Sequence, residues 1–125
     1  MFWTLCHVAL GGAIGSVARF LSVSALARLL PPGFPYGTLA VNVVGSFAMG
    51  ALAVWLAERG AMRAAPFLMT GFLGGFTTFS AFSLDAVRLW QDGDPRVAAL
   101  YVSLSVGASV LALVCGMVLA RGFTG

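Results

Sequence analysis

Charged residues are scarce in this chain. They make up 9% of its 125 residues and include no lysine, whereas a typical soluble domain carries about 25%. Hydrophobic residues make up 60%, and the mean hydropathy is +0.99. These values argue against a soluble globular enzyme and exclude a disordered, collagen-like or disulfide-stapled chain. The apolar residues are enough for four membrane-spanning helices of about 20 residues each, so we expect any function to lie within the bilayer.

Cysteine and runs of basic residues are also largely missing. Cys6 and Cys115 lie in apolar stretches without metal-ligand spacing, and we expect both to be free, buried thiols. The seven basic residues are all arginine and are scattered along the chain. This pattern argues against nucleic-acid binding and is typical of residues at the ends of membrane spans.

The hydrophobic pattern predicts an all-α membrane protein with a single transmembrane domain over residues 1–125. Four spans are expected, at about 2–30, 37–57, 65–89 and 97–120. Pro31, Pro32 and Pro35 separate the first two spans, because proline lacks the N–H group that a continuing helix needs.

The arginines are evenly divided between the two membrane faces that these spans define. Four spans place both termini on one face. Three arginines lie near each face: Arg59, Arg63 and Arg121 on the face of the termini, and Arg28, Arg88 and Arg96 on the other. The orientation of a membrane protein follows an excess of basic residues on the cytoplasmic face, so an equal number on both faces does not determine which way this chain inserts. Two interpretations stay open: a small bias hidden by uncertain span ends, or dual topology, in which both orientations are made.

Two spans carry polar residues at every fourth position, and each set therefore lies on one helix face. The sets are Thr38, Asn42 and Ser46 in the second span, and Tyr101, Ser105 and Ser109 in the fourth. Hydroxyl and amide donors can replace water around an anion. The same residue types also form hydrogen bonds between membrane helices. The spacing alone favours neither interpretation.

The third span contains poor helix formers in succession. Glycine and threonine between Gly74 and Thr78 predict a break in the helix there. A break frees carbonyl groups that protein, water or a cation must satisfy. Phe79 and Phe82 are three residues apart and share a helix face. Their ring edges are positive and suit a small anion, although a phenylalanine pair by itself is more typical of packing.

The first span combines small residues with one charge. Gly11 and Gly15 form a small-xxx-small pair, which predicts close packing against another helix backbone. Arg19 lies within the same span. It either reaches the membrane interface or lines a water-filled vestibule, where it would raise the local concentration of anions.

Together these motifs resemble the Fluc/CrcB family of fluoride ion channels. The resemblance rests on GGAIGSVAR at 11–19, GTLAVNVVGSF at 37–47 and GFLGGFTTFSAFS at 71–83, and it extends over all four spans. It implies a fluoride-selective channel, not an enzyme, that lowers cytoplasmic fluoride by passive efflux. It also implies a multi-pass protein of the bacterial inner membrane, surrounded by lipid, that forms an antiparallel, dual-topology homodimer with two pores and a structural Na⁺ at its centre.

The resemblance also implies roles for individual residues. The implied pore-lining residues are Asn42, Phe79, Phe82, Thr38, Tyr101, Ser105 and Ser109. Arg19 would lie in the vestibule, and Gly74 and Thr77 would give backbone carbonyls to Na⁺. The chain departs from the family pattern at Ala81, where the family often has threonine, and at Asp85, near a position often held by glutamate.

Two other functions fit a small membrane protein. A four-helix proton-coupled multidrug exporter needs an ionisable group deep in the membrane. The first span has no acid, and Glu58 and Asp85 lie near predicted span ends. A membrane subunit without transport is the second alternative, and it would not need the amide, the rings and the hydroxyls.

Overall fold

The computed structural model describes residues 1–124, and the regular structure in this range is helical. Three spans are continuous helices: α1 (Phe2–Leu29), α2 (Tyr36–Glu58) and α5 (Pro95–Thr124). The third span is divided. Its first half, α3, is a π-helical stretch Pro66–Leu73 followed by the turn Gly74–Phe76, and its second half is α4 (Phe79–Asp92). All four spans are long and apolar enough to cross a membrane.

The connections are short. The loop between α1 and α2 turns at Gly33, whose φ of 105° is accessible to glycine without strain. Gly60, with φ of 65°, ends α2 in the same way before a 3₁₀ turn at Met62–Ala64. At the start of α5, Asp94 Oδ1 accepts the Arg96 N–H at 2.9 Å.

Glycines allow α1 and α3 to pack backbone to backbone. A Cβ built at Gly11 would overlap the carbonyl oxygen of Phe67, and one built at Gly15 would overlap that of Phe72. This confirms the close packing predicted for Gly11 and Gly15. Without a hydrophobic effect between helices in lipid, such close approach is a main source of association.

A second glycine-mediated contact joins α2 and α5. A Cβ at Gly50 would overlap the carbonyl oxygen of Leu113, and one at Gly116 would overlap that of Phe47. The two contacts fix α5 against α2, so their polar stripes are held on neighbouring helices.

The predicted break in the third span is present. Thr77 (φ −89°, ψ 159°) and Thr78 (φ −152°, ψ 124°) are both extended. The π-helical turns before the break were not expected from the sequence. Low propensity indicates where a helix is weak, but it does not indicate which hydrogen-bond register replaces the ordinary one.

Much of the apolar surface is not covered by the chain itself. Phe20 on α1 and Leu111 on α5 are exposed, and in a bilayer such residues meet lipid or another chain. Cys6 and Cys115 are free, but both are exposed. The expectation that they are buried was wrong, because they lie on the outer surface of α1 and α5.

Candidate functional site

One groove, here called the polar groove, collects most of the side chains predicted to line a pore. It has a volume of about 300 Å³, is open along one side, and lies between α2, the break and α5. Its walls include Asn42, Phe79, Phe82, Ser105 and Ser109. The helix packing therefore brings together residues from three separate segments of the sequence.

The two phenylalanine rings differ in their surroundings. Their centroids are 5.5 Å apart, with 57° between the ring planes. Phe82 is 8% exposed and also contacts the Tyr101 ring at 5.4 Å. Phe79 is 78% exposed. The Phe82 ring is thus packed into the wall of the groove, and the Phe79 ring lies at its open side.

Asn42 is bonded to the main chain of the break. Its Nδ2 donates to the carbonyl oxygen of Thr78 at 2.9 Å. The N–H of Thr78 donates to Asn42 Oδ1 at 2.7 Å. One hydrogen of Nδ2 is left after these two bonds.

Ser105 is the buried donor of the groove. It is 5% exposed, and its hydroxyl has no hydrogen-bond partner among the described residues. A buried hydroxyl without a partner is destabilising by itself. Such a group marks a place where a polar ligand would be favourable.

Tyr101 and Thr38 lie further along the same two helices, beyond the polar groove. Tyr101 is fully buried, and its hydroxyl donates to Asp85 Oδ2 at 3.4 Å. Thr38 and Asp85 line a second cavity of about 250 Å³ under the α1–α2 loop. The predicted polar track is therefore divided between two spaces, with Tyr101 between them.

Arg19 reaches the end of α3 across the α1–α3 contact. Its Nε donates to the carbonyl oxygen of Gly75 at 3.0 Å. A cation at the carboxyl end of a helical segment is favourable, since the last carbonyls lack their helical donors. Arg19 is thus attached to the broken helix as well as being a candidate source of positive potential.

The carbonyl groups beside the break are not all satisfied in the same way. The Leu73 carbonyl accepts from Thr77, both from its N–H at 3.0 Å and from its Oγ1 at 2.9 Å. Among the described residues, the carbonyls of Gly74 and Thr77 receive no such donor. For Gly74 the cause is visible, because the Thr78 N–H that would pair with it is bonded to Asn42.

Sequence reasoning did not anticipate two contacts of the site. The Asn42–Thr78 pair joins residues 36 apart, and helical periodicity within each span gives no information on such pairs. The same applies to Asp85, which was noticed only as a departure from the family pattern. Its contact with Tyr101 spans 16 residues.

The chain matches a family model over most of its length. The model is described as "CrcB-like protein, Camphor Resistance (CrcB)", and it matches residues 6–117. That range contains every residue of the polar groove and the whole of the helix break.

Curated relatives match over almost their whole length. Three of them carry the name "Fluoride-specific ion channel FluC". The protein from Cereibacter sphaeroides is 58% identical over 123 residues, which is 98% of each chain. That from Paracoccus denitrificans is 55% identical over 119 residues and 95% of each chain, and that from Ruegeria sp. is 54% identical over 123 residues and 98% of each chain. These matches confirm the resemblance seen in the motifs, and the chain belongs to the CrcB family.

Proposed function

We propose that this protein is a fluoride-selective ion channel and not an enzyme. Its relatives at 54–58% identity are named as fluoride-specific channels. Its four spans are those of a multi-pass membrane protein. The polar groove supplies a place where an anion could be held within these spans.

The observation that carries the proposal is the chemistry of the groove. Its described lining residues include an amide, hydroxyls and two phenylalanine rings, and none of them is charged. Fluoride is strongly hydrated, so donors must replace its water before it enters a narrow path. Uncharged donors and positive ring edges do this without the strong attraction that would trap the ion.

Such a channel lowers cytoplasmic fluoride without an energy source of its own. Hydrogen fluoride enters cells uncharged and releases fluoride in a more alkaline cytoplasm. A negative membrane potential then drives the anion outward, with about 2.3 kcal/mol per charge for each 100 mV. A selective leak through the groove is sufficient.

The test is anion efflux from liposomes that contain the purified protein. Liposomes loaded with potassium fluoride or potassium chloride are diluted into a buffer whose only anion is impermeant, and an ionophore for K⁺ prevents charge build-up. We expect rapid fluoride efflux and chloride efflux at the rate of protein-free liposomes. Equal efflux of both anions, or efflux of neither, would overturn the proposal.

We infer further that the channel is an antiparallel homodimer in the bacterial inner membrane. The polar groove is open along one side, and Phe79 stands there with 78% of its surface exposed. A second chain would close that side and shield the ion from lipid. The equal number of arginines on the two faces favours insertion in both orientations.

We propose that one structural Na⁺ lies at the dimer centre. The carbonyls of Gly74 and Thr77 fit a hard cation, because they are oxygen ligands left without donors among the described residues. A bound ion would stabilise the folded protein by mass action. Thermal unfolding of the purified protein should therefore occur at higher temperature in Na⁺ than in N-methylglucamine, and identical curves would contradict the site.

The groove argues against proton-coupled export. That mechanism needs an ionisable group deep in the span, and the described walls of the groove contain none. Asp85 lines the cavity under the α1–α2 loop, with Pro31 and Pro35, and hence lies near the end of the spans. Fluoride efflux that is unchanged when a pH gradient is reversed would separate the two functions.

A further inference from the structure

Thr78 is the second of the two extended residues that interrupt the third span. The side chain of Asn42 in α2 binds the main chain of Thr78 through two hydrogen bonds. Asn42 accepts the Thr78 N–H and donates to the Thr78 carbonyl. Chemistry fixes the orientation of the carboxamide, since only an amide with its oxygen towards the N–H satisfies both bonds. Asn42 Oδ1 therefore takes the place of the Gly74 carbonyl, with which the Thr78 N–H would pair in an unbroken helix, and Nδ2 adds a donor to the Thr78 carbonyl.

A second contact on the same face of α2 brings the break close enough for Asn42 to bind Thr78. Gly45 is three residues after Asn42 and shares its helix face. A Cβ at Gly45 would overlap the methyl group of Thr77. Because Gly45 has no side chain, Thr77 lies against α2, and Thr78 then meets Asn42. The break is thus a segment docked on α2.

The docked segment determines where α4 begins. Thr78 caps α4, because its Oγ1 accepts the Ala81 N–H at 3.1 Å. Phe79 is the first residue of α4, and Phe82 follows in the first turn. Once the main chain of Thr78 is fixed, the start of the helix and the backbone positions that carry both rings are set as well.

We propose that Asn42 is a positioning residue, whose carboxamide holds the third span broken at Thr78 and so orients the first turn of α4 towards the polar groove. The pairing uses both Oδ1 and one hydrogen of Nδ2. At most one N–H remains for an anion. The proposal rests on the proposed function only in treating the groove as an ion path.

Solution NMR of the protein in nanodiscs without fluoride tests this directly. The measurements are the chemical shift and hydrogen exchange of the Thr78 amide, together with the ring resonances of Phe79. The variants are Asn42→Leu, which removes both bonds, and Asn42→Asp, which keeps the acceptor for the Thr78 N–H. Ser46→Ala is the matched control, since Ser46 lies one turn further along α2 and lines the same groove.

In Asn42→Leu we expect the Thr78 amide to exchange about tenfold faster or more, because its hydrogen bond is lost. Its proton shift should move upfield, and the Phe79 ring resonances should change. In Ser46→Ala the Thr78 exchange should stay near that of the parent. In Asn42→Asp, which keeps only the bond from the Thr78 N–H, it should lie between that of the parent and that of Asn42→Leu. The Gly93 amide, bonded to Leu89 at the far end of α4, should be unchanged in every variant.

Two results would overturn the proposal. One is a Thr78 amide in Asn42→Leu with the shift and exchange rate of the parent. The other is Thr78 exchange at the parent rate in Asn42→Asp with the Phe79 ring resonances unchanged, which decides the matter if the leucine variant does not fold. The measurement needs no ion flux, so a parent protein that fails to pass fluoride would refute the proposed function and leave this result standing.

Discussion

Gly15 of α1 lies against the carbonyl oxygen of Phe72 in α3, with no room for a methyl group between them. This contact holds the first half of the broken span against α1. Since Arg19 is one turn further along α1 and bonds to Gly75, the same helix that packs on α3 also binds the carboxyl end of its last turn.

Gly15→Ala should therefore destabilise the protein. A Cβ at this position meets main-chain atoms that have no freedom to turn away, and overpacking of this kind costs about 1–3 kcal/mol. Gly107→Ala in α5 is the matched control, because a Cβ there meets nothing within 4 Å. The midpoint of thermal unfolding in detergent should fall for Gly15→Ala and stay the same or rise for Gly107→Ala. Equal midpoints would show that α1 and α3 are not closely packed in the membrane protein.

Replacing either ring of the polar groove should reduce fluoride efflux without unfolding the protein. Phe79→Ile and Phe82→Ile keep apolar volume but remove the positive ring edge. Volume-conserving apolar exchanges usually cost less than about 1.5 kcal/mol. We expect efflux from liposomes to fall about tenfold or more, a loss of about 1.4 kcal/mol. Phe20→Ile, on the exposed surface of α1, is the control and should conduct as the parent does.

The fold was predictable to the extent that its signals are local. Apolar runs gave the spans, and the succession Gly74, Gly75, Thr77 and Thr78 located the break. The pairing of Asn42 with Thr78 was not predictable, because it depends on the approach of α2 to the break. That approach is set by Gly45, whose role is the absence of a side chain. Nothing in the local pattern distinguishes such a glycine from those at other helix contacts.

The residue types of the candidate site were predictable from the sequence, but the shape of the groove and the residues that line it were not. The spacing of four residues indicated that Ser105 and Ser109 share a helix face, and the structure places both in the wall of the polar groove. Thr38 and Tyr101 have the same spacing in their own helices, yet the groove is not lined by them. Two helices that cross at an angle share a groove only near their crossing point. The crossing angle is set by side-chain packing, which the spacing within each helix does not reveal.

Ser105→Ala should lower fluoride efflux while stability is kept or increased. The Ser105 hydroxyl is buried without a partner among the described residues, so its removal relieves a destabilising group of about 1 kcal/mol. If the hydroxyl helps to replace water around fluoride, efflux decreases. Unfolding and efflux are measured on the same preparation. A decrease in stability would show instead that Ser105 has a structural hydrogen bond between helices.

Asp85→Asn should raise the fluoride efflux rate a few-fold. The Asp85 carboxylate lies beside the Tyr101 hydroxyl and lines the second cavity, where a negative charge repels an anion that approaches the groove. Asparagine keeps an oxygen for the Tyr101 hydroxyl and removes the charge. Asp92→Asn, two turns further along α4 and exposed, should have a smaller effect. An unchanged or slower rate in Asp85→Asn, with Tyr101 still in place, would mean that fluoride does not pass this carboxylate.

The last prediction concerns insertion of the chain. Arg59, Arg63 and Arg121 near one face are balanced by Arg28, Arg88 and Arg96 near the other, so both orientations should be made. A cysteine placed at the C-terminus, in a background with Cys6 and Cys115 replaced by serine, should react with a membrane-impermeant maleimide from both sides of the membrane.

Adding two arginines to the link between α2 and α3, residues 59–65, should shift the population towards the orientation with that link in the cytoplasm. If the channel is an antiparallel dimer, the biased protein should lose fluoride efflux. It should recover efflux when co-expressed with a variant biased in the opposite sense. Labelling from one side only in the unbiased protein would contradict dual topology, and full efflux from a protein held in one orientation would contradict the antiparallel dimer.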